Sequence, residues 1–292
     1  MAIGRSNVGG DFRARWFLPW QHAQSLAEFP ARWPSIRAAL DAHMRGLARR
    51  LRNWVRTAAV ATRLLVAVRR PGTAELWIGD SHAVCFNEDL TSTELTVAPE
   101  GQFVWHLGPR LMYALARDGF PRRVVRAAGF LGKVARRSAV IPVFVAGEID
   151  VRCHLVPHSR SADFDLSFVR DYVAAGCALA STMGATVAVF AVPPPPSEDC
   201  PAVPDFPIRG SFDERIAMFT SLRAAVKSAV DEGGPVRAIL LDATDELTDD
   251  VSALRSDLTD DGCHTNARGV SVVRRRFRDL GVVPSTQSLG SG

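Results

Sequence analysis

The chain has 292 residues, 47% of them apolar and 23% charged, which excludes a disordered, collagen-like or small disulfide-stapled protein and allows one sizeable core. Its net charge of +4 is unevenly spread: residues 1–71 hold 13 Lys+Arg against 3 Asp+Glu, and residues 72–292 hold 22 against 28. The basic flank reads either as a solvated surface or as an attractor of anionic lipid, nucleic acid or phosphorylated ligands. Only Lys133 and Lys227 are lysines, a bias that points to GC-rich bacterial, actinobacterial coding.

The cysteines (Cys85, Cys153, Cys177, Cys200, Cys263) are odd in number and scattered, with no C-x-x-C. They signal neither a disulfide framework nor a zinc ribbon, so reduced thiols are expected. Arg5, Asp11, Arg13 and Arg15 interrupt any secretory apolar stretch, and a cytoplasmic protein is expected.

Residues 1–70 form a basic, Trp-containing helical extension. Ile36, Leu40, Met44, Leu47, Leu51 and Val55 recur at helical spacing through about 33–68, with Arg37, Arg45, Arg49, Arg52 and Arg56 opposite. That amphipathic helix either packs on the main domain with a wet arginine face or lies on a membrane surface. After Pro71-Gly72, short apolar runs at Glu75–Ile78, Val104–His106, Ala139–Ala146, Thr186–Val192 and Ala238–Leu241 alternate with helical stretches. Near-continuous apolar strands interleaved with helices predict an α/β doubly wound domain over 71–283, a parallel sheet with helices on both faces, followed by a flexible tail, 284–292.

Val173–Val192 carries no charge, yet Gly176, Gly184 and the prolines after it make it the end of a helix, a turn and a buried strand rather than a membrane span. Pro193–Pro207 holds seven prolines in 15 residues and reads as an irregular loop or lid.

The first strand runs into Gly79-Asp80-Ser81-His82, placing a serine just past a strand's carboxyl end and ahead of a helix. An exposed nucleophile needs that position, although the same tripeptide also serves as a turn or helix cap. Far downstream stands Asp261-Gly262-Cys263-His264, ahead of a last helix starting near Asn266. A histidine can take the serine's proton, and a carboxylate three residues earlier can reach the other ring nitrogen around a glycine turn. Alternatively, Asp261 caps the last helix and His264 is a surface residue.

This order of blocks resembles the SGNH or GDSL superfamily of serine esterases and acyltransferases over about residues 72–283. The resemblance implies a flavodoxin-like sheet, Ser81 as nucleophile, His264 as general base and Asp261 as its partner. It also implies an oxyanion hole made by the amides of Ser81 and of Gly108, in Trp105-His-Leu-Gly-Pro109. The third block departs from the family's Gly-x-Asn-Asp: here Gly147-Glu148-Ile149-Asp150 is followed by Val151-Arg152. Ile149 cannot donate a hydrogen bond, a loss that typically costs ~10²–10³ in rate. Arg152, His82 and Asn87 are the candidate substitutes, and Asp150 with Arg152 is expected to form a structural ion pair.

His154 and His158 have i, i+4 spacing and Cys153 and Cys263 flank histidines, but Pro157 argues against the helix that metal binding would require, so no metal is expected. Arg122, Arg123 and Arg126, in a cluster continuing through Lys133, Arg136 and Arg137, are either a solvated helix face or a phosphate site for coenzyme A. Aromatics are not interleaved with these arginines, so no nucleic-acid partner is expected. Acyl-CoA as a co-substrate and a carbohydrate hydroxyl as acceptor follow, with no bound cofactor; a carbohydrate esterase or a non-catalytic SGNH shell are the alternatives. The basic extension and arginine-rich texture are also similar to sugar octanoyltransferases of methylglucose lipopolysaccharide biosynthesis.

Overall fold

The computed structural model describes residues 29–69, 73–84, 95–97, 102–135 and 139–282; Cys85, Asn87, Arg136, Arg137 and the 284–292 tail lie outside them. The chain divides into two compact units, Met1–Trp54 and Val55–Gly292. A helix, α1 (Phe29–Ala67), is described in the first and continues into the second. Leu64 and Val68, at the end of that helix, are buried in the core of the second unit.

In the first unit Met44, Leu47 and Leu51 are more than half exposed, as is Val55 at the start of the second. Among the described residues no helix is long and apolar enough to cross a membrane.

Six strands form one sheet: β1 (Ala74–Gly79), β2 (Leu95–Val97), β3 (Phe103–His106), β4 (Val140–Val145), β5 (Val187–Ala191) and β6 (Arg237–Leu241). Their order is β2-β3-β1-β4-β5-β6, parallel throughout except for the antiparallel edge strand β2. Side chains alternate across the sheet. Leu76, Ile78, Val140 and Phe144 face a core built with α3 (Met112–Asp118), α4 (Arg122–Val134), α6 (Phe168–Thr182) and α7 (Phe212–Asp231). Trp77, Ile141, Val143, Val145 and Val189 face the other side, where Phe277 of α9 (Ala267–Asp279), which follows the short α8 (Thr244–Leu247), covers them. Both faces are thus covered, as the near-continuous apolar strands predicted.

The central strand β1 has β3, the next parallel strand along the chain, on one side and β4 on the other, so the winding reverses there. In open α/β sheets ligands collect in the crevice beyond the carboxyl ends of the strands at such a switch point. At Val173–Val192 the chain follows the expected course: α6 ends at Thr182, Gly184 turns at φ +74° and β5 follows.

One local expectation fails. Residues 150–155 form a π-helical segment that runs into the one-turn α5 (Val156–His158), so helical structure continues through Pro157. Proline is tolerated there because it stands in the first turn of the α segment, where a backbone donor is dispensable.

Candidate active site

The site is assembled from three loops at the carboxyl edge of the sheet. Gly79 closes β1 with its backbone against Val145, so close that a Cβ would overlap the Val145 carbonyl oxygen. Asp80 is fully buried, and its Oδ1 accepts the His82 amide hydrogen at 2.9 Å. This tight turn starts α2 (Ser81–Val84) at the serine itself. Beside it, the Leu107 amide donates to Gly79 O at 2.7 Å, and Gly108 follows at φ +76° with open space around its Cα. Gly108 therefore lies in the loop that follows β3, the strand paired with β1, whose end leads into Ser81.

The third loop carries the histidine. Asp261 Oδ1 accepts the amides of Cys263 (2.8 Å) and His264 (2.7 Å), and its Oδ2 lies 2.7 Å from His264 Nδ1. One carboxylate therefore both folds the turn and orients the ring. Helix α9 is capped not by Asp261 but by Asn266, whose Oδ1 accepts the amides of Arg268 and Gly269. His264 Nε2 reaches Ser81 Oγ at 2.9 Å across 183 residues of sequence. With Asp261 ionised, the ring hydrogen sits on Nδ1 and the Nε2 lone pair faces the serine hydroxyl.

The electrostatics favour that protonation state. Burial tends to raise the Asp261 pKa, but the hydrogen bonds from the His264 ring, the His264 amide and the Cys263 amide outweigh it and hold the carboxyl at about 2. Burial, reinforced by the charge of His82, pushes His264 below its ordinary value, with Asp261 opposing.

Around this chain lies a shell centred on Glu148, a residue the sequence reading passed over in favour of its neighbour Ile149. His82 stacks on His264 with ring centroids 4.9 Å apart, and its Nε2 lies 3.5 Å from Glu148 Oε2. Glu148 Oε1 is 3.1 Å from Arg152 Nε. The expected Asp150–Arg152 ion pair is therefore replaced by Glu148–Arg152, because helical winding brings residues four apart together. Asp150 instead caps α3, accepting the amides of Met112 (2.7 Å) and Tyr113 (3.2 Å). Burial pushes its carboxyl up to about 6.

Arg152 is also turned away from an oxyanion role: Nη1 donates to the sulfurs of Cys200 and Cys263, 3.4 Å from each. Ile149 is buried and apolar. Asn87 falls outside the described residues.

Arg122, Arg123 and Arg126 lie exposed on α4. They line neither the small hollow at Glu148 and Cys263 nor the one at Asp150 and Tyr113.

Among the described residues two groups lie close enough to share a metal ion, His82 with Cys263 and His264, and Glu148 with Cys200 and Cys263. In the first, both ring nitrogens of His264 already face Asp261 and Ser81; in the second, the Arg152 guanidinium lies against both thiols and the carboxylate. The His154–His158 pair belongs to neither.

A larger hollow of about 580 Å³ shares this segment of chain: Asp150 lines it with Tyr113, His154, Asp163, Phe164 and Phe168.

No family model matches the chain, and no curated protein sequence does. Solved structures similar to it include an acylhydrolase from Bacteroides fragilis, at 15% identity over 75% of this chain and 92% of that one with a TM-score of 0.48. A GDSL-like lipase from Parabacteroides merdae has 15% identity over 73% of this chain and 98% of its own, with a TM-score of 0.48. An acetylxylan esterase from Geobacillus stearothermophilus has 14% identity over 74% and 96%, with a TM-score of 0.43. At such identities and TM-scores, the chemistry has to be read from this chain's own atoms.

Proposed function

We propose that the protein is a serine-dependent acyl-transfer enzyme of the SGNH kind, moving an acyl group from acyl-CoA to a sugar hydroxyl through an acyl-enzyme. The observation that carries this reading is the unbroken contact chain Ser81 Oγ, His264 Nε2, His264 Nδ1, Asp261 Oδ2, with separations of 2.9 Å and 2.7 Å. Ser81 Oγ attacks the thioester carbonyl while His264 takes its proton, and the oxyanion faces the amides of Ser81 and Gly108. Collapse expels the coenzyme A thiolate, which takes the proton back from His264. The acceptor hydroxyl then attacks the acyl-serine as His264 accepts its proton, and Ser81 leaves with that proton returned.

The aromatic and carboxylate lining of the hollow beside Asp150 suits a sugar, with Tyr113 and Phe168 as stacking surfaces and Asp163 as a hydroxyl partner. A medium chain such as octanoyl is the acyl group we assign. Two backbone amides, with Ile149 where the family has its Asn donor, suit a slow biosynthetic enzyme. Use of acyl-CoA places it in the cytoplasm. The exposed apolar stripe of α1 and its arginine-rich sequence support peripheral contact with an anionic membrane.

Thiol release from acyl-CoAs of two to sixteen carbons, with and without glucosylglycerate or simple sugars, tests the reading. Ser81-dependent release that requires the sugar and yields an acylated sugar is expected. Release without sugar would make the protein a thioesterase or carbohydrate esterase, and Ser81→Ala retaining full turnover would overturn the mechanism.

A further inference from the structure

Cys263 lies between Asp261 and His264, and Cys200 lies in the proline-rich loop that passes over it. Both are buried free thiols. Their sulfurs and a Glu148 carboxylate oxygen all lie within 4.8 Å of one another, and Arg152 Nη1 donates to both sulfurs at 3.4 Å. The two backbones also touch. Gly262 adopts φ +70°, and a Cβ on it would stand 2.6 Å from the backbone of Asp199 and 2.8 Å from Cys200 N. The proline-rich loop is fastened here rather than free: Phe206 lies under the Arg152 guanidinium at 5.8 Å, and the Arg209 amide donates to Arg152 O at 2.8 Å. A small hollow lined by Cys200, Cys263, Ser197 and Arg215 reaches both thiols.

A disulfide needs two Cβ atoms in close register and one sulfur able to act as thiolate. The close approach of Gly262 to the Asp199–Cys200 backbone, with the two sulfurs within 4.8 Å of each other, brings the side chains together. Arg152, a fixed cation on both sulfurs, supplies the second condition. The hydrogen bond with Cys263 and the cation of Arg152 overcome burial and pull Cys200 down to about 7, whereas Cys263 is raised. Arg152 stands 3.4 Å from each sulfur, so its cation is available to whichever thiol ionises.

We propose that Cys200 and Cys263 are a redox pair that a peroxide closes into an intramolecular disulfide, tying the proline-rich loop to the turn that carries Asp261 and His264. The Cys200 thiolate attacks a peroxide oxygen, forming an S–O bond as the O–O bond breaks and hydroxide leaves. Cys263 sulfur then attacks the Cys200 sulfenic acid. The S–S bond forms, the S–O bond breaks, and the departing hydroxide takes the Cys263 thiol proton as water. Two thiols lose two electrons, and the peroxide is reduced to water.

The full folded chain is treated with hydrogen peroxide, its remaining thiols are blocked with N-ethylmaleimide, and it is digested without reductant and mapped by mass. The expected result is one cross-linked species joining the Cys200 and Cys263 peptides, lighter than their sum by two hydrogens and separated again by dithiothreitol. Cys153 and Cys177 should stay alkylatable after unfolding. Cys200→Ser should give no link to Cys263, and wild type oxidised in urea should lose the pairing preference, which shows that the fold selects the pair. Both thiols remaining alkylatable after excess peroxide, or each oxidised separately to sulfinic acid with no link, would overturn the proposal. Because the readout is a peptide mass, its failure leaves the acyl-transfer reading untouched.

Discussion

Asp80 stands directly before the proposed nucleophile, and replacing it by Asn separates its structural cost from its charge. The side chain is fully buried; Oδ1 accepts the His82 amide, and Oδ2 finds no hydrogen-bond partner among the described residues. Burial lifts its pKa from 3.8 to about 6, against the lowering influence of His82. A carboxyl whose pKa is raised on folding contributes its full stability below pH 3.8 and loses it as the pH climbs through about 6. At about 1.4 kcal/mol per pH unit between those two values, ionisation costs the folded chain ~3 kcal/mol by pH 8. Asp80→Asn keeps the acceptor for His82 and carries no charge. Urea unfolding of both proteins from pH 4 to pH 8 should show near-equal stability at the acid end and an advantage to the Asn variant that grows to ~3 kcal/mol at the alkaline end. Titrating groups with no coupling to Asp80 cancel in that difference; Asp150, which the Asp80 charge helps to push up, does not. An advantage that does not change with pH, or that is greatest at pH 4, would refute the reasoning.

Asp261→Asn preserves the Oδ1 acceptor of the turn but loses the charge facing Nδ1, so kcat should fall by ~10³–10⁴ while KM moves little. Because burial and His82 lower the His264 pKa, and only the neutral ring accepts the serine proton, the acid limb of the kcat/KM profile should have its midpoint below pH 6.5; a midpoint above that value would contradict the placement of His82. Tyr113→Ala and Phe168→Ala should raise KM for the sugar roughly tenfold at near-constant kcat, and unchanged sugar KM in both would remove the hollow beside Asp150 from substrate binding. Leu47→Glu with Leu51→Glu should abolish co-sedimentation with phosphatidylserine vesicles while leaving Ser81-dependent turnover in solution intact; binding that survives the pair would show that the apolar stripe is not the contact.

What was legible in the sequence was whatever local pattern governs. β4 and β5 are β-branched runs buried on both faces, and their extents differ from the expected ones by a residue or so at each end. The contact of Asp261 with His264 was legible because Asp261 makes its turn and its ring contact within three residues, whereas the approach of His264 to Ser81 spans 183 residues. β2 escaped notice because three residues of edge strand carry no periodicity. The partner of Arg152 was misassigned because Glu148–Arg152 contact requires helical winding, and nothing in Asp150–Leu155 announces a π-helical segment. Asp150 caps a helix 38 residues upstream, and the thiols of Cys200 and Cys263 meet only because Gly262 lets two distant segments touch. Such contacts are products of tertiary packing, and spacing along the chain does not encode them.

The most direct test of the serine mechanism is the intact mass of the folded protein after exposure to a fluorophosphonate. An activated Ser81 should take up one phosphonyl group, mapped to the peptide carrying Gly79-Asp80-Ser81, with labelling abolished in Ser81→Ala and strongly slowed in His264→Ala. Folded wild type that remains unlabelled, or that labels equally well without Ser81, would contradict the assignment of Ser81 as nucleophile.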